Sequence, residues 1–179
     1  MTIDTATFGA GCFWCLEAAM NQLQGVSSAL SGYMGGDADS ANYRRVCEGD
    51  TGHAEVVQVT FDNSIISYQQ LCLVFFSLHD PTQLNRQGND VGTQYRSAIF
   101  YHSPWQQHQA TELVSQLNQQ QIFSVKLVTE ISPASRFFQA ESYHQGYFLH
   151  NPQQAYCQYV VAPKLAKFRQ QYGALLKSC

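Results

Sequence analysis

The spacing of hydrophobic and polar residues switches along the chain between a period of about two and a period of about 3.6, which indicates strands and helices in turn. The clearest strand covers residues 53–61, where Glu55, Val57, Val59 and Phe61 fall on one face. A carboxyl group is therefore expected among apolar side chains. Strands are predicted over residues 5–10, 26–34, 53–61, 97–101 and 125–131.

Helices are predicted where apolar residues recur at helical spacing beside capping residues. Ser67 with Gln70 forms a capping-box pattern, and Ser103 followed by Pro104 supplies a cap and a first-turn proline. The predicted helices run from residue 13 towards Gly25, from 67 to about 78, from 103 to about 117, over 141–148 and over 162–176.

Two polar, glycine-containing segments, residues 35–50 and 79–95, show no period and are predicted to be loops. Because long loops inside compact domains are often functional, the second segment is a candidate part of a site. Strands and helices alternate without the regularity of a doubly wound sheet. We therefore expect one α+β domain spanning residues 1–179, a two-layer sandwich with a mixed sheet.

Composition narrows the class of protein. Of the 179 residues 45% are hydrophobic and 13% charged, which argues against disorder, and the longest apolar run, residues 71–76, is too short to cross a bilayer. The net charge of −3 argues against a nucleic-acid-binding protein, because such binding needs an excess of positive charge. The first ten residues contain neither lysine nor arginine nor an apolar run, so no signal or transit peptide is predicted and we expect a cytoplasmic protein.

Cysteine placement points to thiol chemistry. In a reducing compartment the 6 cysteines are better explained as separate thiols than as structural bridges. Cys12 and Cys15 stand in the segment GCFWC at the predicted start of a helix, where free N–H groups lower a thiol pKa. Cys12 is thus a candidate nucleophile. Cys15 lies one turn further on, at a Cα separation of about 5–6 Å that a disulfide tolerates.

The two cysteines of GCFWC are also compatible with three different roles. A C-x-x-C pair can donate two zinc ligands, although the nearest further ligands, Cys47 and His53, have loose spacing. The two cysteines can also be buried near a helix start, since Phe13 and Trp14 would suit a core equally well. A third alternative is a general dithiol oxidoreductase that acts on protein disulfides.

Five motifs together are more specific than the cysteine pair alone. They are GCFWC (11–15), GYMGG (32–36), GHAEVV (52–57), NRQGNDVGTQYRS (85–97) and AESYHQ (140–145). In this order they resemble the A class of the peptide methionine sulfoxide reductases. The resemblance extends over residues 7–165 and implies a compact α+β fold with a ferredoxin-like core. It also implies reduction of the S epimer of methionine sulfoxide, free or in proteins, as a repair reaction.

The resemblance assigns catalytic roles to four side chains. Cys12 attacks the sulfoxide sulfur and ends as a sulfenic acid. Glu55 supplies a proton, and desolvation on its apolar strand face is a separate reason to expect a raised pKa. Tyr33 and Tyr95 match phenols that hydrogen-bond the sulfoxide oxygen.

Further residues are assigned to substrate binding and support. Phe13 and Trp14 are expected to form an apolar socket for the S-methyl group. Asp90 matches an acidic residue that contacts the backbone amide of the substrate, although a loop aspartate can instead cap a turn. His53 and His144 are expected to be neutral supporting residues.

The chain departs from the family pattern in the residues that regenerate the thiol. The position of Cys15 is most often glycine, and the glycine-rich tail with recycling cysteines is missing, so we expect Cys15 to resolve the sulfenic acid, with Cys157 second and Cys179 third. The resulting disulfide implies thioredoxin as reductant. Neither a cofactor nor a metal is implied, and a monomer is expected.

Overall fold

The computed structural model describes residues 1–178, which form a six-stranded sheet, a separate two-stranded sheet and several helices. The strands are β1 (Ile3–Ala10), β2 (Val26–Met34), β3 (Ala54–Asp62), β4 (Arg86–Gln87), β5 (Asp90–Val91), β6 (Ser97–Tyr101), β7 (Glu130–Pro133) and β8 (Phe138–Gln139). The α-helices are α1 (Phe13–Met20), α2 (Tyr43–Cys47), α3 (Tyr68–Ser77), α4 (Pro104–Gln119), α5 (Tyr147–His150) and α6 (Ala162–Tyr172).

The large sheet has the order β7-β6-β1-β3-β2-β8. Its strand pairs are antiparallel apart from β6 and β7, which run parallel. The predicted α+β class with a mixed sheet is therefore confirmed. The finer prediction of a ferredoxin-like core stays a prediction, and the order β6-β1-β3-β2 of the four central strands agrees with it.

The main hydrophobic core lies between the helices and one face of the sheet. Phe8 of β1 and Val59 of β3 point into it and meet Leu16 of α1, Phe75 of α3 and Leu165 of α6, all of them buried. The opposite face carries a smaller cluster with Met34, Val56 and Phe100, against which Phe137 packs. The helices thus form one layer and the sheet the other.

Helix starts follow the capping residues that the sequence contains. Ser67 Oγ accepts the N–H of Gln70 at 3.1 Å, and Gln70 Oε1 accepts the N–H of Ser67 at 2.9 Å, which completes the predicted capping box of α3. Ser103 Oγ accepts the N–H of Gln106 at 3.2 Å and caps α4. Both helix predictions are confirmed.

The predicted strand over residues 125–131 is mostly wrong, since β7 begins at Glu130. The backbone N–H of Leu127 donates to Asn118 Oδ1 at 3.0 Å, and that of Val128 donates to the carbonyl of Pro81 at 2.8 Å. These two donors are used by a helix end and a loop, so neither is available to a sheet neighbour. Val125 is 60% exposed.

Two other segments differ from expectation near the site. The polar segment 35–50 contains the short helix α2, whose start is capped by Asn42 Oδ1 on the N–H of Arg45 at 3.1 Å. The helix predicted over 141–148 is split into a 3-10 turn at Ser142–His144 and the helix α5, because Gly146 between them adopts φ +63°. No helix within residues 1–178 is both long and apolar enough to span a membrane.

Candidate active site

The turn between β1 and α1 presents the first cysteine of GCFWC. Cys12 is the N-cap residue of α1 and is half-buried. Gly11 before it adopts φ +83°, and a Cβ there would lie 2.7 Å from the Cβ of Gln87. Glycine is therefore required both for the backbone conformation and for the close approach of β4. This tight turn holds Cys12 beneath the β4–β5 pair.

Glu55 of β3 lies directly behind the start of α1. The side chain is 2% exposed, and its Oε1 accepts the backbone N–H of Phe13 at 3.2 Å. Burial raises the pKa of Glu55 to about 8, with smaller contributions from the negative charges of Asp90 and Glu141. The carboxyl group therefore keeps its proton at neutral pH, the state that the sequence led us to expect.

The pKa of Cys12 moves in the direction opposite to our expectation. Burial raises it well above the ordinary thiol value, and the negative charge of Glu55 raises it further. The backbone N–H of Trp14 lowers it, which is the helix-start effect predicted from the sequence, but burial outweighs this effect. In the substrate-free protein Cys12 is thus a protonated thiol, and the predicted lowering of its pKa is wrong.

A cavity of about 190 Å³, here called the Cys12 cavity, opens at this cysteine. The structure brings together at its walls most of the residues singled out from the sequence, together with three that sequence reasoning missed. The expected residues are Cys12, Phe13, Trp14, Glu55, Asp90 and Tyr95, and the additional ones are Tyr43, Gln154 and Tyr156.

Tyr33 does not line the Cys12 cavity. It is fully buried behind the cavity wall, where its ring packs on Phe13 at 5.8 Å between centroids and its hydroxyl donates to Glu141 Oε1 at 3.0 Å. Tyr43 and Tyr156 occupy the wall instead. The sequence predicts a role for Cys157 but none for the adjacent Tyr156, and Tyr43 lies in the segment 35–50, which was predicted to be a loop.

The aromatic wall of the cavity is held in place by a second layer of rings. Trp14 Nε1–H donates to His144 Nδ1 at 3.0 Å, and the indole stacks on Tyr147 at 3.7 Å between centroids with an interplanar angle of 8°. Burial lowers the pKa of His144, so the imidazole is neutral and accepts at Nδ1. His144 thus supports the orientation of Trp14.

The long segment 79–95 delivers Asp90 and Tyr95 to the cavity. Asp90 lies in β5, and its Oδ2 accepts the hydroxyl of Tyr156 at 2.6 Å. Tyr95 closes the 3-10 turn Thr93–Tyr95. The segment predicted as a functional loop therefore contains a small two-stranded sheet and a turn, both directed at the site.

The phenols around the cavity are hydrogen-bond donors at neutral pH. Burial raises the pKa of Tyr43, of Tyr95 and of Tyr156 above the ordinary value. The Tyr156 side chain also acts on the Cys12 thiol, whose pKa it lowers against the effect of burial. The cavity thus combines a thiol, a neutral carboxyl group and phenolic donors.

The candidate resolving cysteines differ in position. Cys15 is buried in α1 and lines, together with Cys12, a second cavity of about 210 Å³, here called the two-cysteine cavity. Burial raises the pKa of Cys15 to about 11. Cys157 is fully buried and lines neither cavity. Cys179 lies outside the described residues.

Two motif residues hold the surrounding loops. His53 accepts the N–H of Gly36 at Nδ1 (3.1 Å), and its Nε2 lies 2.8 Å from the carbonyl oxygen of Asp37. Arg96 pairs with Glu130 at 2.7 Å and also donates to backbone carbonyls. Within residues 1–178 no cluster of three or more His, Cys, Asp or Glu side chains is arranged to hold a metal ion.

Solved structures with this fold define its class. The chain is similar to Mxr1 from Saccharomyces cerevisiae in reduced form, with a TM-score of 0.79 and 34% identity over 87% of this chain and 89% of that chain. It is also similar to methionine sulfoxide reductase A of Corynebacterium diphtheriae, with a TM-score of 0.78 and 35% identity over 84% of this chain and 76% of that chain. The fold is thus that of the methionine sulfoxide reductases.

Sequence relatives identify the family. The profile for peptide methionine sulfoxide reductase matches residues 4–175. Peptide methionine sulfoxide reductase MsrA of Chromobacterium violaceum is 53% identical over 98% of this chain and 100% of its own length. That of Deinococcus radiodurans is 53% identical over 97% of this chain and 84% of its own length. The chain belongs to the peptide methionine sulfoxide reductase family, and the family and enzyme class predicted from the sequence are confirmed.

Proposed function

We propose that the Cys12 cavity reduces the S epimer of methionine sulfoxide, free or within polypeptides, to methionine. The observation that carries this proposal is the lining of one cavity of about 190 Å³ by a thiol, a buried carboxyl group and phenols. These are the groups that the reaction requires, since the sulfoxide oxygen must be hydrogen-bonded and protonated while a sulfur nucleophile approaches.

We assign protonation of the sulfoxide oxygen to Glu55. Its pKa of about 8 leaves the carboxyl group protonated at neutral pH, and Oε1 is already used by the N–H of Phe13, so the acidic proton is carried by the other oxygen. Tyr43 and Tyr95 donate hydrogen bonds to the same sulfoxide oxygen as negative charge develops on it, while the Tyr156 hydroxyl donates to Asp90.

Oxidation of Cys12 balances the reduction of the substrate. The Cys12 sulfur attacks the sulfoxide sulfur and a sulfur–sulfur bond forms, while the sulfoxide oxygen takes the Glu55 and Cys12 protons and leaves as water. Water then attacks the Cys12 sulfur, the sulfur–sulfur bond breaks with its electron pair on the substrate sulfur, methionine leaves, and one proton returns to Glu55. One oxygen atom is transferred in total, so Cys12 ends as a sulfenic acid. The position of Cys12 at the cavity wall, with Glu55 behind it, supports this assignment.

Substrate selection is assigned to the aromatic wall and to Asp90. Phe13 and Trp14 enclose the S-methyl group, and their fixed orientation determines which epimer brings its oxygen towards Glu55. Asp90 accepts the substrate backbone N–H while its Oδ2 remains bonded to Tyr156. A wall fixed by hydrogen bonding and stacking favours discrimination between epimers, since the substrate cannot reshape it.

Regeneration of the thiol proceeds through Cys15. Its place beside Cys12 in the two-cysteine cavity supports an intramolecular disulfide, which thioredoxin then reduces. We assign the whole cycle to one domain acting as a monomer in the cytoplasm, where a low-potential dithiol is present.

A single-turnover experiment with chirally pure substrates tests the proposal. Reduced enzyme is mixed with a methionine sulfoxide peptide of either configuration, without added reductant, and the methionine peptide is quantified by chromatography. The S epimer should yield about one equivalent and the R epimer none, and trapping with dimedone in the Cys15→Ser variant should label Cys12. Equal consumption of both epimers, or persistent activity of Cys12→Ser, would contradict the proposal.

A further inference from the structure

The two-cysteine cavity contains a cation in addition to the two thiols. Lys164 of α6 lines it together with Cys12 and Cys15. Asp90 and Tyr156 line this cavity as well as the Cys12 cavity, so the two spaces adjoin. The place where a disulfide between the cysteines would form therefore has a lysine at its wall.

The helix α6 determines where this lysine points. Leu165 and Phe168 are buried in the main core, so the helix face that carries them is turned inward. Lys164, next to Leu165, is half-buried, whereas Lys167, one turn further on, is exposed. Among residues 1–178, Lys164 has no carboxylate within 4.0 Å. Its charge is thus not neutralised by an ion pair.

Closure of the disulfide depends on ionisation of Cys15. Thiolates and not thiols attack oxidised sulfur, and burial holds the pKa of Cys15 at about 11, so the ionised fraction at neutral pH is small. The charge of Lys164 is the influence that lowers the pKa of this thiol. A lysine beside a buried thiol therefore acts on the step at which this thiol is needed.

We propose that Lys164 is the positioning residue that prepares Cys15 to resolve the oxidised Cys12. The inference rests on the proposed sulfenic acid at Cys12. In this step the Cys15 sulfur attacks the Cys12 sulfur, a sulfur–sulfur bond forms, and the Cys12 sulfur–oxygen bond breaks. The hydroxide leaves with the Cys15 proton as water, so the sulfenic sulfur is reduced and the Cys15 sulfur is oxidised.

The other charged and titratable groups at this cavity do not replace the lysine. Asp90 is acidic and its Oδ2 is bonded to Tyr156, so it opposes ionisation of a nearby thiol. His79 does not line this cavity, and burial lowers its pKa to about 4, with a further contribution from Lys164, which leaves the imidazole neutral. Within the described chain, Lys164 is thus the cation that lines the two-cysteine cavity.

The test varies the charge at position 164 and measures the two chemical steps separately. Reduced enzyme is mixed with the S-sulfoxide peptide, and methionine formation and disulfide formation are followed in the same quenched samples by chromatography and peptide mass spectrometry. The variants are Lys164→Arg, Lys164→Met and Lys164→Glu, with Lys167→Met as the matched control on the exposed side of the same helix.

Methionine formation should be unchanged in all variants, within about twofold. The rate of disulfide formation should follow the charge at position 164. Lys164→Arg should be close to the unaltered enzyme, Lys164→Met slower and Lys164→Glu slowest. Each unit of increase in the Cys15 pKa reduces the thiolate tenfold but makes it more nucleophilic, so the net slowing is about threefold per unit. Lys167→Met should match the unaltered enzyme.

Three outcomes would overturn the inference. The first is an equal rate of disulfide formation in Lys164→Met and the unaltered enzyme, and the second is an equal rate in Lys164→Met and Lys164→Glu. The third is an equal slowing of methionine formation and disulfide formation, which would indicate general disturbance of the site. Loss of methionine formation in the unaltered enzyme would instead refute the proposed function. Thermal melts of each variant establish that the compared proteins are folded.

Discussion

The Oε1 atom of Glu55 lies 3.2 Å from the backbone nitrogen of Phe13, so a buried carboxyl group closes the first turn of the helix that begins at the nucleophile. Helix starts leave unpaired N–H groups, and this contact satisfies one of them from β3. Because burial raises the pKa of Glu55 to about 8 and its charge raises the pKa of Cys12, the two groups are coupled. Their protonation states must be considered together.

Replacing the acid should slow the reduction step. Glu55→Gln keeps the hydrogen bond to Phe13 but cannot deliver a proton, so single-turnover methionine formation is expected to fall by about 10²–10⁴-fold. Glu17→Gln is the matched control, because Glu17 is also a buried glutamate whose pKa burial raises, here to about 7. Its carboxylate lies outside the Cys12 cavity and accepts the N–H of Gly146. Equal rates for Glu55→Gln and the unaltered enzyme would remove Glu55 as the acid.

The raised pKa of Glu55 also predicts a pH dependence of stability. The folded protein binds this proton more tightly than the unfolded chain, whose carboxyl group titrates near 4.5. Stability from Glu55 is therefore complete below about pH 4.5 and is lost as the pH rises towards about 8, by about 1.4 kcal/mol per pH unit in that window. Urea unfolding at several pH values should show the unaltered protein losing stability relative to Glu55→Gln. Parallel curves would contradict the burial argument.

Alkylation of Cys12 reports its thiol pKa directly. Because burial and the charge of Glu55 raise this pKa, the iodoacetamide rate at Cys12 in a Cys15→Ser background should still be rising at pH 9. Glu55→Gln removes the charge contribution and should shift the profile to lower pH. The rate is measured by mass spectrometry of the Cys12 peptide. A midpoint below pH 8 would show that the helix start outweighs burial.

Much of the fold follows from local signals in the sequence. The boundaries of β2 and β6 match the predicted strands, since Gly35 follows the first and Ser103 and Pro104 lie just beyond the second, and the capping box predicted the start of α3. The prediction over 125–131 was wrong because the apolar residues there do not have a strand beside them until Glu130. Propensity alone does not distinguish an extended surface segment from a paired strand.

The site was predicted as far as its residues lie in contiguous motifs. Cys12, Trp14 and Tyr95 belong to such motifs, and all of them line the Cys12 cavity. Tyr43 and Tyr156 were missed because they reach the cavity only through the fold, the first from α2 and the second from the segment before α6. The direction of the Cys12 pKa shift could not be predicted from the sequence either, because the burial that raises this pKa comes from residues that are distant in the sequence.

The shared cavity of Cys12 and Cys15 leads to a prediction about turnover. Cys15→Ser should still form about one equivalent of methionine but lose thioredoxin-driven turnover, because the sulfenic acid then lacks its neighbouring thiol. Cys157→Ser should turn over at the normal rate, since Cys157 is fully buried and lines neither cavity. Steady-state assays with thioredoxin compare the two variants. Normal turnover of Cys15→Ser together with loss in Cys157→Ser would exchange their roles.

Substitutions of three tyrosines test which phenols take part in the reaction. Tyr33 was assigned a role from the sequence, whereas Tyr43 and Tyr156 line the Cys12 cavity in the structure. Tyr43→Phe removes a donor to the sulfoxide oxygen and should lower the rate of methionine formation by about tenfold to 10²-fold. Tyr156→Phe removes the donor that holds Asp90 and should change the rate in the same direction. Tyr33→Phe leaves the cavity wall intact and removes only the contact with Glu141, so its effect should appear in thermal stability and not in the rate. Single-turnover rates and melting temperatures of all three variants distinguish these outcomes. A rate loss in Tyr33→Phe as large as in Tyr156→Phe would mean that the Tyr33 hydroxyl leaves Glu141 and enters the cavity when substrate binds.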